Sequence, residues 1–414
     1  MSGSERVGPT DVDALAALRI PAFRRFFVAA LMSNSGAWLQ GIAMPYVMFQ
    51  ITESGAWVGA SVFALMVPMA LMGPVAGPLA DRIPRRRILV MTQSVLALVA
   101  IGLALAWWLG VREPLAYVAL SVLYGTVNGF NMPAWQAYVS DLVPREALMN
   151  AITLNSTQFN AARAIGPSVG GVVLATLGPG WSFAGNAFSF VFVVVTLLTL
   201  PAGQIREGAG NDPVIQQFAQ GFAYALEQPG IVTAYIAGGL VAFFGGTLTQ
   251  VHLVLFAEEV FGVGEFRFGL LVSAFGVGAV LAAPWLTAVA PRYRKSSVLV
   301  AGLAAYGIGE LVLATTDLYW IGVVGVLVAG GAHLTTASTT NTSIQLQVAE
   351  AMRGRVMAMY LMVFTLGMPI GAIVQGALTD VVGPRAVVFG MGSVLLTGTL
   401  LLRVSGRSTT LDAA

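Results

Sequence analysis

Long apolar runs, separated by short polar clusters, recur along the whole chain. About twenty mostly apolar residues suffice for a helix to cross the hydrocarbon core of a bilayer. Such runs stand at 26–50, 57–80, 88–109, 115–140, 148–177, 181–201, 231–257, 267–290, 297–316, 319–345, 356–380 and 385–403. The pattern predicts an all-α polytopic membrane protein with twelve transmembrane helices. One polar stretch is longer than the others: Ala202 to Gln228 carries Arg206, Glu207 and Asp212 among Gly, Asn and Pro, and it joins span six to span seven. Its apolar positions over 214–226 fall at roughly helical spacing, which predicts a short helix lying on the membrane surface. The expected organisation is a lead-in at 1–25, a six-helix bundle at 26–201, a linker at 202–230, a second six-helix bundle at 231–403 and a tail at 404–414.

The two sets of six spans repeat each other. At an offset of 205 residues, Gly125, Gly166, Gly171, Gly178 and Gly185 fall on Gly330, Gly371, Gly376, Gly383 and Gly390, and Pro179 falls on Pro384. Five of the eight glycines between 125 and 185 match, where the overall glycine content would place about one by chance. A repeated, apolar chain of this kind predicts two pseudo-symmetric bundles with a transport site between them.

Composition supports a membrane protein: 57% of residues are hydrophobic and 10% charged, with a mean hydropathy of +0.80. A net charge of +2, with the basic residues in clusters beside the spans, excludes a nucleic-acid partner. If both termini face the cytoplasm, seventeen Lys and Arg residues lie inside, only Arg112, Arg267 and Arg385 lie outside, and Arg163 falls within span five. That is a decisive positive-inside bias. The stretch before Arg25 contains Asp11 and Asp13 and lacks an apolar core with a cleavage site, so it reads as a cytoplasmic lead-in. An enzyme or ATP-driven pump is disfavoured. The single lysine, Lys295, follows Arg294 and forms no Gly-Lys-Ser/Thr phosphate loop, and two distant histidines make no metal site. No cofactor is expected, and the absence of cysteine removes thiolate chemistry and disulfides.

Between spans two and three, Gly77, Asp81, Arg82, Arg85, Arg86 and Arg87 form a tight basic loop. There Asp81 could cap a neighbouring helix N-terminus while the arginines meet lipid headgroups or helix C-termini, acting as a conformational latch. The order Gly-x-Leu-Ala-Asp-Arg-x-x-Arg-Arg-Arg resembles the signature loop of the major facilitator superfamily, with Pro84 where many members have glycine. In span five, Ala162, Gly166 and Gly170 make a ridge for close helix packing, and Pro167 permits a bend. The pattern Gly166, Pro167, Gly170, Gly171 is similar to the motif associated with exporters in this superfamily. Gly178-Pro179, Asn186 to Phe190, Val143 to Asn150 and Arg353 to Arg355 are placed as in its bacterial drug and siderophore exporter branch. The resemblance covers nearly the whole chain. It implies the major facilitator fold, a monomer in the bacterial inner membrane, and export of a small amphipathic compound by proton antiport and alternating access.

The resemblance also implies that spans one, four, seven and ten line a central cavity. The candidates there are Asn34, Trp38, Gln40 and Tyr46; Asn128, Asn131, Trp135 and Gln136; Phe243, Phe244, Gln250 and His252; and His333, Thr336 and Asn341. For any one of them interhelical packing is the simpler reading, and it is their coincidence on four helices that points to a cavity. Two charges fall at membrane depth, where they are costly. Arg163 could hold an anionic substrate or carboxylate, or reach backbone carbonyls; Glu310 could carry the proton, or reach the outer interface. The arginine that many proton-coupled relatives carry in span four is replaced by Gly125, so coupling rests on the family. The alternative function is a proton- or ion-coupled importer of a polar metabolite on the same fold, which would need a more charged cavity.

Overall fold

A computed structural model describes residues 15–203 and 214–412; the side chains of 74, 75, 77–82, 160, 163, 164, 214–219 and 351 lie outside that description. Thirteen α-helices lie among the described residues. They are α1 (Pro21–Thr52), α2 (Gly55–Arg82), α3 (Arg85–Trp108), α4 (Pro114–Asp141), α5 (Leu148–Leu177), α6 (Pro179–Leu198) and α7 (Val214–Leu226), followed by α8 (Pro229–Val260), α9 (Glu265–Ala288), α10 (Lys295–Thr315), α11 (Tyr319–Gln347), α12 (Arg353–Val382) and α13 (Pro384–Val404). Each of the twelve apolar runs corresponds to one long helix, and α7 occupies the linker stretch with helical spacing. Five of the long helices open on proline, a residue whose fixed φ and missing N–H suit the first turn.

Among the described residues, nine helices are long and apolar enough to cross a membrane. The long helices α1, α4 and α5 are more polar. The first part of α5 alone carries Asn150, Thr153, Asn155, Ser156, Thr157 and Gln158, and Thr153, Ser156 and Thr157 are exposed. Hydroxyl groups gain nothing from lipid, so such a face belongs against water or protein.

The packing is two-fold. In the first half α1 packs on α5 and α6, α2 on α4, and α3 on α4 and α6; in the second half α8 packs on α12 and α13, α9 on α11, and α10 on α11 and α13. Between the halves α2 meets α12 and α5 meets α9. Two pairs of the repeated glycines sit at equivalent close contacts. Gly125 lies against the backbone of Leu65 on α2 and Gly330 against that of Phe275 on α9, while Gly171 touches Gly269 and Gly376 touches Gly55 across the halves. A side chain at any of them would hold the backbones apart. Gly178 and Gly383 both adopt positive φ (84° and 83°) and pass the chain into a Pro-initiated helix, which accounts for the repeated Gly-Pro step.

Two features depart from the sequence expectation. First, α8 is interrupted by π-helical turns at Val241–Gly245, Leu248–His252 and Phe256–Val260, marked by the bonds Gly246 N–H to Val241 O (2.7 Å) and Phe261 N–H to Phe256 O (2.9 Å). A uniformly apolar run does not reveal such turns. Second, part of the tail is ordered: Arg407–Asp412 forms a 3₁₀ helix whose Asp412 accepts from Ser296 N–H (3.0 Å) and Ser296 Oγ (2.6 Å) at the start of α10. This carboxylate supplies the cap that the Arg294 side chain at the N-cap position does not.

Candidate functional site

The two halves touch at one end and part towards the other. The end where α6 stops and α8 starts is the linker end; the opposite end, where α1 stops and α2 starts, is the far end. At the far end, the Asp380 carboxylate of α12 accepts from Ser54 Oγ (2.6 Å), Gly55 N–H (2.5 Å) and Ala56 N–H (3.2 Å) at the N-terminus of α2. Exposed N–H groups and the helix dipole both favour an anion there. Tyr46 Oη donates to Glu265 Oε1 (2.7 Å), and its ring stacks on Phe268. Deeper in, Ser168 Oγ donates to Ser273 Oγ (2.6 Å), and a methyl carbon on Gly171 would stand 2.6 Å from Gly269 Cα. The glycine contacts thus let α5 and α9 close to backbone distance.

Towards the linker end, α2 and α12 diverge around a cavity of about 340 Å³. Met66 and Met69 of α2 form one side; Tyr360, Phe364, Thr365 and Met368 of α12 face them, with Leu361 beside these and Ala337 and Asn341 contributed by α11. The volume suits a small organic ligand. Among the described residues the lining is apolar and aromatic, with an amide and hydroxyls but no charged group.

Of the residues expected in the cavity, Asn341 lines it, and its Oδ1 accepts from Gln345 Nε2 (2.6 Å). His333 stands directly behind the wall, its ring 6.0 Å from that of Phe364. Asn128 also stands behind it, donating to the Sδ of Met69 (3.3 Å). Others require correction. Gln40 accepts from Asn186 Nδ2 (2.8 Å), and Asn131 accepts from Thr92 Oγ1 (3.0 Å) and Gln93 Nε2 (3.2 Å), so both are buried between helices of the first half. Thr336 is buried beside Gly302 of α10, and Trp135 packs on Phe26. Amides such as Gln40 and Asn131 in a low-dielectric bundle take partners on the nearest helix, which here belongs to the same half. Asn34 donates to Gln158 (3.2 Å), Trp38 packs over Gly166, and Tyr46 belongs to the far-end seal. Phe243 and Phe244 pack edge to face and are half-buried, as is Gln250, while Gln136 is exposed.

In the basic loop, the side chains of Gly77, Asp81 and Arg82 lie outside the described residues. Arg85 pairs with Asp141 (2.7 Å) and donates to Ala137 O (3.1 Å), Arg86 donates to Leu200 O (2.6 Å), and Arg87 is exposed. These bonds secure helix ends within the first half. The backbone of span five follows the expected ridge: Gly166 meets Trp38 and Gly170 meets Ile42 on α1, while Gly171 and the Pro167 carbonyl meet Gly269 on α9. Of the two intramembrane charges, the Arg163 side chain lies outside the described residues. Glu310 is fully buried inside the second half, and neither of its carboxyl oxygens has a hydrogen-bond partner.

Sequence reasoning missed the contribution of α2 and α12. Tyr360, Phe364 and Met368 recur every four residues, but an aromatic and methionine stripe reads as ordinary core. It also missed Asp380 and Glu265, which lie at span ends where charge is unremarkable.

A family model described as transmembrane secretion effector matches residues 12–412. The enterobactin exporter EntS of Escherichia coli O1:K1 is 27% identical over 389 residues, spanning 93% of this chain and 92% of its own length. Its counterpart from Citrobacter koseri is 28% identical over 392 residues with the same coverage. Among solved structures, the nucleoside transporter NupG aligns with a TM-score of 0.78 at 14% identity, covering 92% of this chain and 98% of its own. A D-xylose–proton symporter aligns at 0.69 and 14%, covering 91% and 97%. These structural likenesses show the fold.

Proposed function

Because the chain belongs to the transmembrane secretion effector family of the major facilitator superfamily, we propose that it exports a small amphipathic compound of the siderophore or drug type by alternating access, in exchange for protons. It is a multi-pass membrane transporter and not an enzyme. The observation that carries the reading is the asymmetry between the ends: hydrogen bonds join the halves at the far end, while a ligand-sized cavity lies between them on the linker side. The positive-inside distribution supports a cytoplasmic linker end and cytoplasmic termini in a bacterial inner membrane, and with that orientation the conformation is inward-facing. A cavity on the cytoplasmic side of the far-end seal can load an exporter.

The cargo class follows from the lining and the relatives. Tyr360 and Phe364 offer stacking faces, Met66, Met69 and Met368 adapt to irregular shapes, and Asn341 and Thr365 supply hydrogen bonds. Relatives bearing the name enterobactin exporter support a siderophore. The importer alternative calls for a charged cavity, and none of the described lining residues carries charge. Glu310 is the candidate proton carrier, because its buried carboxyl oxygens lack hydrogen-bond partners among the described residues. Arg163, on α5 before Gly166, is the candidate for an anionic cargo group. Both halves of the cavity come from one chain, so a monomer suffices.

Binding of iron-free enterobactin to purified protein, followed by tryptophan fluorescence, tests the cargo and its place. Phe364→Ala and Asn341→Ala are expected to weaken binding by about tenfold or more. Equal affinity in the parent and both variants would move the site elsewhere, and no binding to the parent would reject this cargo.

A further inference from the structure

We infer that His252 is a proton-binding residue whose free Nδ1 couples proton uptake to the parting of α8 from α12; this rests on the reading of the chain as a proton-coupled transporter. The ring lies at the end of the second π-helical turn of α8, with no exposed surface. π-Helical turns are rare and concentrate at functional positions. Gln375 of α12 decides the protonation pattern. Its Nε2 donates to the Phe243 carbonyl (2.6 Å) in the first π-helical turn, and a carbonyl can only accept, so the amide orientation is fixed. Its Oε1 therefore points the other way, towards Thr247 Oγ1 (2.5 Å) and His252 Nε2 (3.1 Å). An amide oxygen cannot donate, so Nε2 carries the ring hydrogen. The neutral ring then has its basic lone pair on Nδ1, which is buried without a hydrogen-bond partner.

A proton added there would create a cation with neither acceptor nor counter-charge. The helices packed most closely against this turn are α2, α12 and α13. No charged residue occurs on α2 between Gly55 and Gly73. On α12 the nearest is Asp380, committed to the N-terminus of α2, and α13 carries Arg385, bonded to Asp317, and Arg403 at its ends. On α8 itself Glu258 and Glu259 lie six and seven residues further along. Proton binding at Nδ1 and the closed seam consequently exclude each other, so the protonated protein favours a conformer in which the seam has opened. The same Gln375 helix continues directly into the Asp380 latch, which ties this seam to the far-end seal. Glu310, by contrast, is enclosed within the second half.

The test needs no substrate. The chain contains no cysteine, so Leu115→Cys and Leu318→Cys, exposed far-end positions in opposite halves, can be spin-labelled in the full chain in nanodiscs. Distances are measured by electron paramagnetic resonance between about pH 5 and 8, the range in which histidine titrates. The parent is expected to gain a longer-distance population on acidification, and His252→Gln, which keeps a donor for Gln375, is expected to lose that response. No response in the parent, or the same response in His252→Gln, overturns the inference. Nitrogen-15 histidine labelling of the His333→Gln protein leaves His252 as the single imidazole signal and guards against a misfolded variant. An Nε2–H tautomer near neutral pH is expected; an Nδ1–H tautomer contradicts the argument. If enterobactin fails to bind while the histidine-dependent pH response persists, the cargo reading fails and this inference stands.

Discussion

Replacing Asp380 with alanine removes three hydrogen bonds that hold α12 against the N-terminus of α2. Once the far end opens, the carboxylate is hydrated, so only the difference between the two environments counts. A carboxylate capping a helix N-terminus stabilises by about 0.5 to 2 kcal/mol. Asp380 is exposed, which places its contribution nearer the lower part of that range. About 1 kcal/mol corresponds to a shift of roughly fivefold in the ratio of open to closed far ends. The assay uses Ser273→Cys, a seal position only 4% exposed, in the otherwise cysteine-free chain. Where opening is fast relative to modification, the labelling rate with a water-soluble maleimide tracks the open population. Asp380→Ala is expected to raise that rate about fivefold and Asp380→Asn, which retains one acceptor oxygen, by less. A change below about twofold, or a slower rate, would refute the latch.

The remaining predictions concern packing and stability. Gly171→Ala places a carbon 2.6 Å from Gly269 Cα, and relieving the clash by separating α5 from α9 is expected to cost the closed far end about 1 to 3 kcal/mol, read as faster labelling of Ser273→Cys. Arg85→Ala leaves the buried Asp141 carboxylate without its guanidinium, and a loss of about 3 to 5 kcal/mol is expected as a large drop in unfolding temperature. Asp412→Ala uncaps α10 and is expected to cost about 0.5 to 2 kcal/mol of stability in the same thermal assay, with ligand affinity unchanged.

The architecture was legible because lipid imposes a simple length requirement: twelve apolar runs correspond to twelve long helices, and two of the repeated glycine pairs, Gly125 with Gly330 and Gly171 with Gly376, mark backbone contacts that recur in both halves. The site was less legible for a physical reason. An amide such as Gln40 or Asn131 has the same appearance in sequence whether it faces a cavity or a neighbouring helix, and here Asn186, Thr92 and Gln93 supply the neighbours. Conversely, Met66 and Phe364 look like core but line the cavity, because a site for an apolar ligand uses the residues of a core. Gln375 bonds a carbonyl in the first π-helical turn of α8 from 132 positions away, and no local pattern announces that pairing.

Direction of transport is the claim on which the account turns. Radiolabelled enterobactin should be offered to everted membrane vesicles carrying the protein, with the lumen made more acidic than the medium. An exporter working by proton exchange accumulates the compound inside these vesicles, and the accumulation collapses when a protonophore dissipates the gradient. Accumulation confined to right-side-out vesicles would contradict export and make the protein an importer.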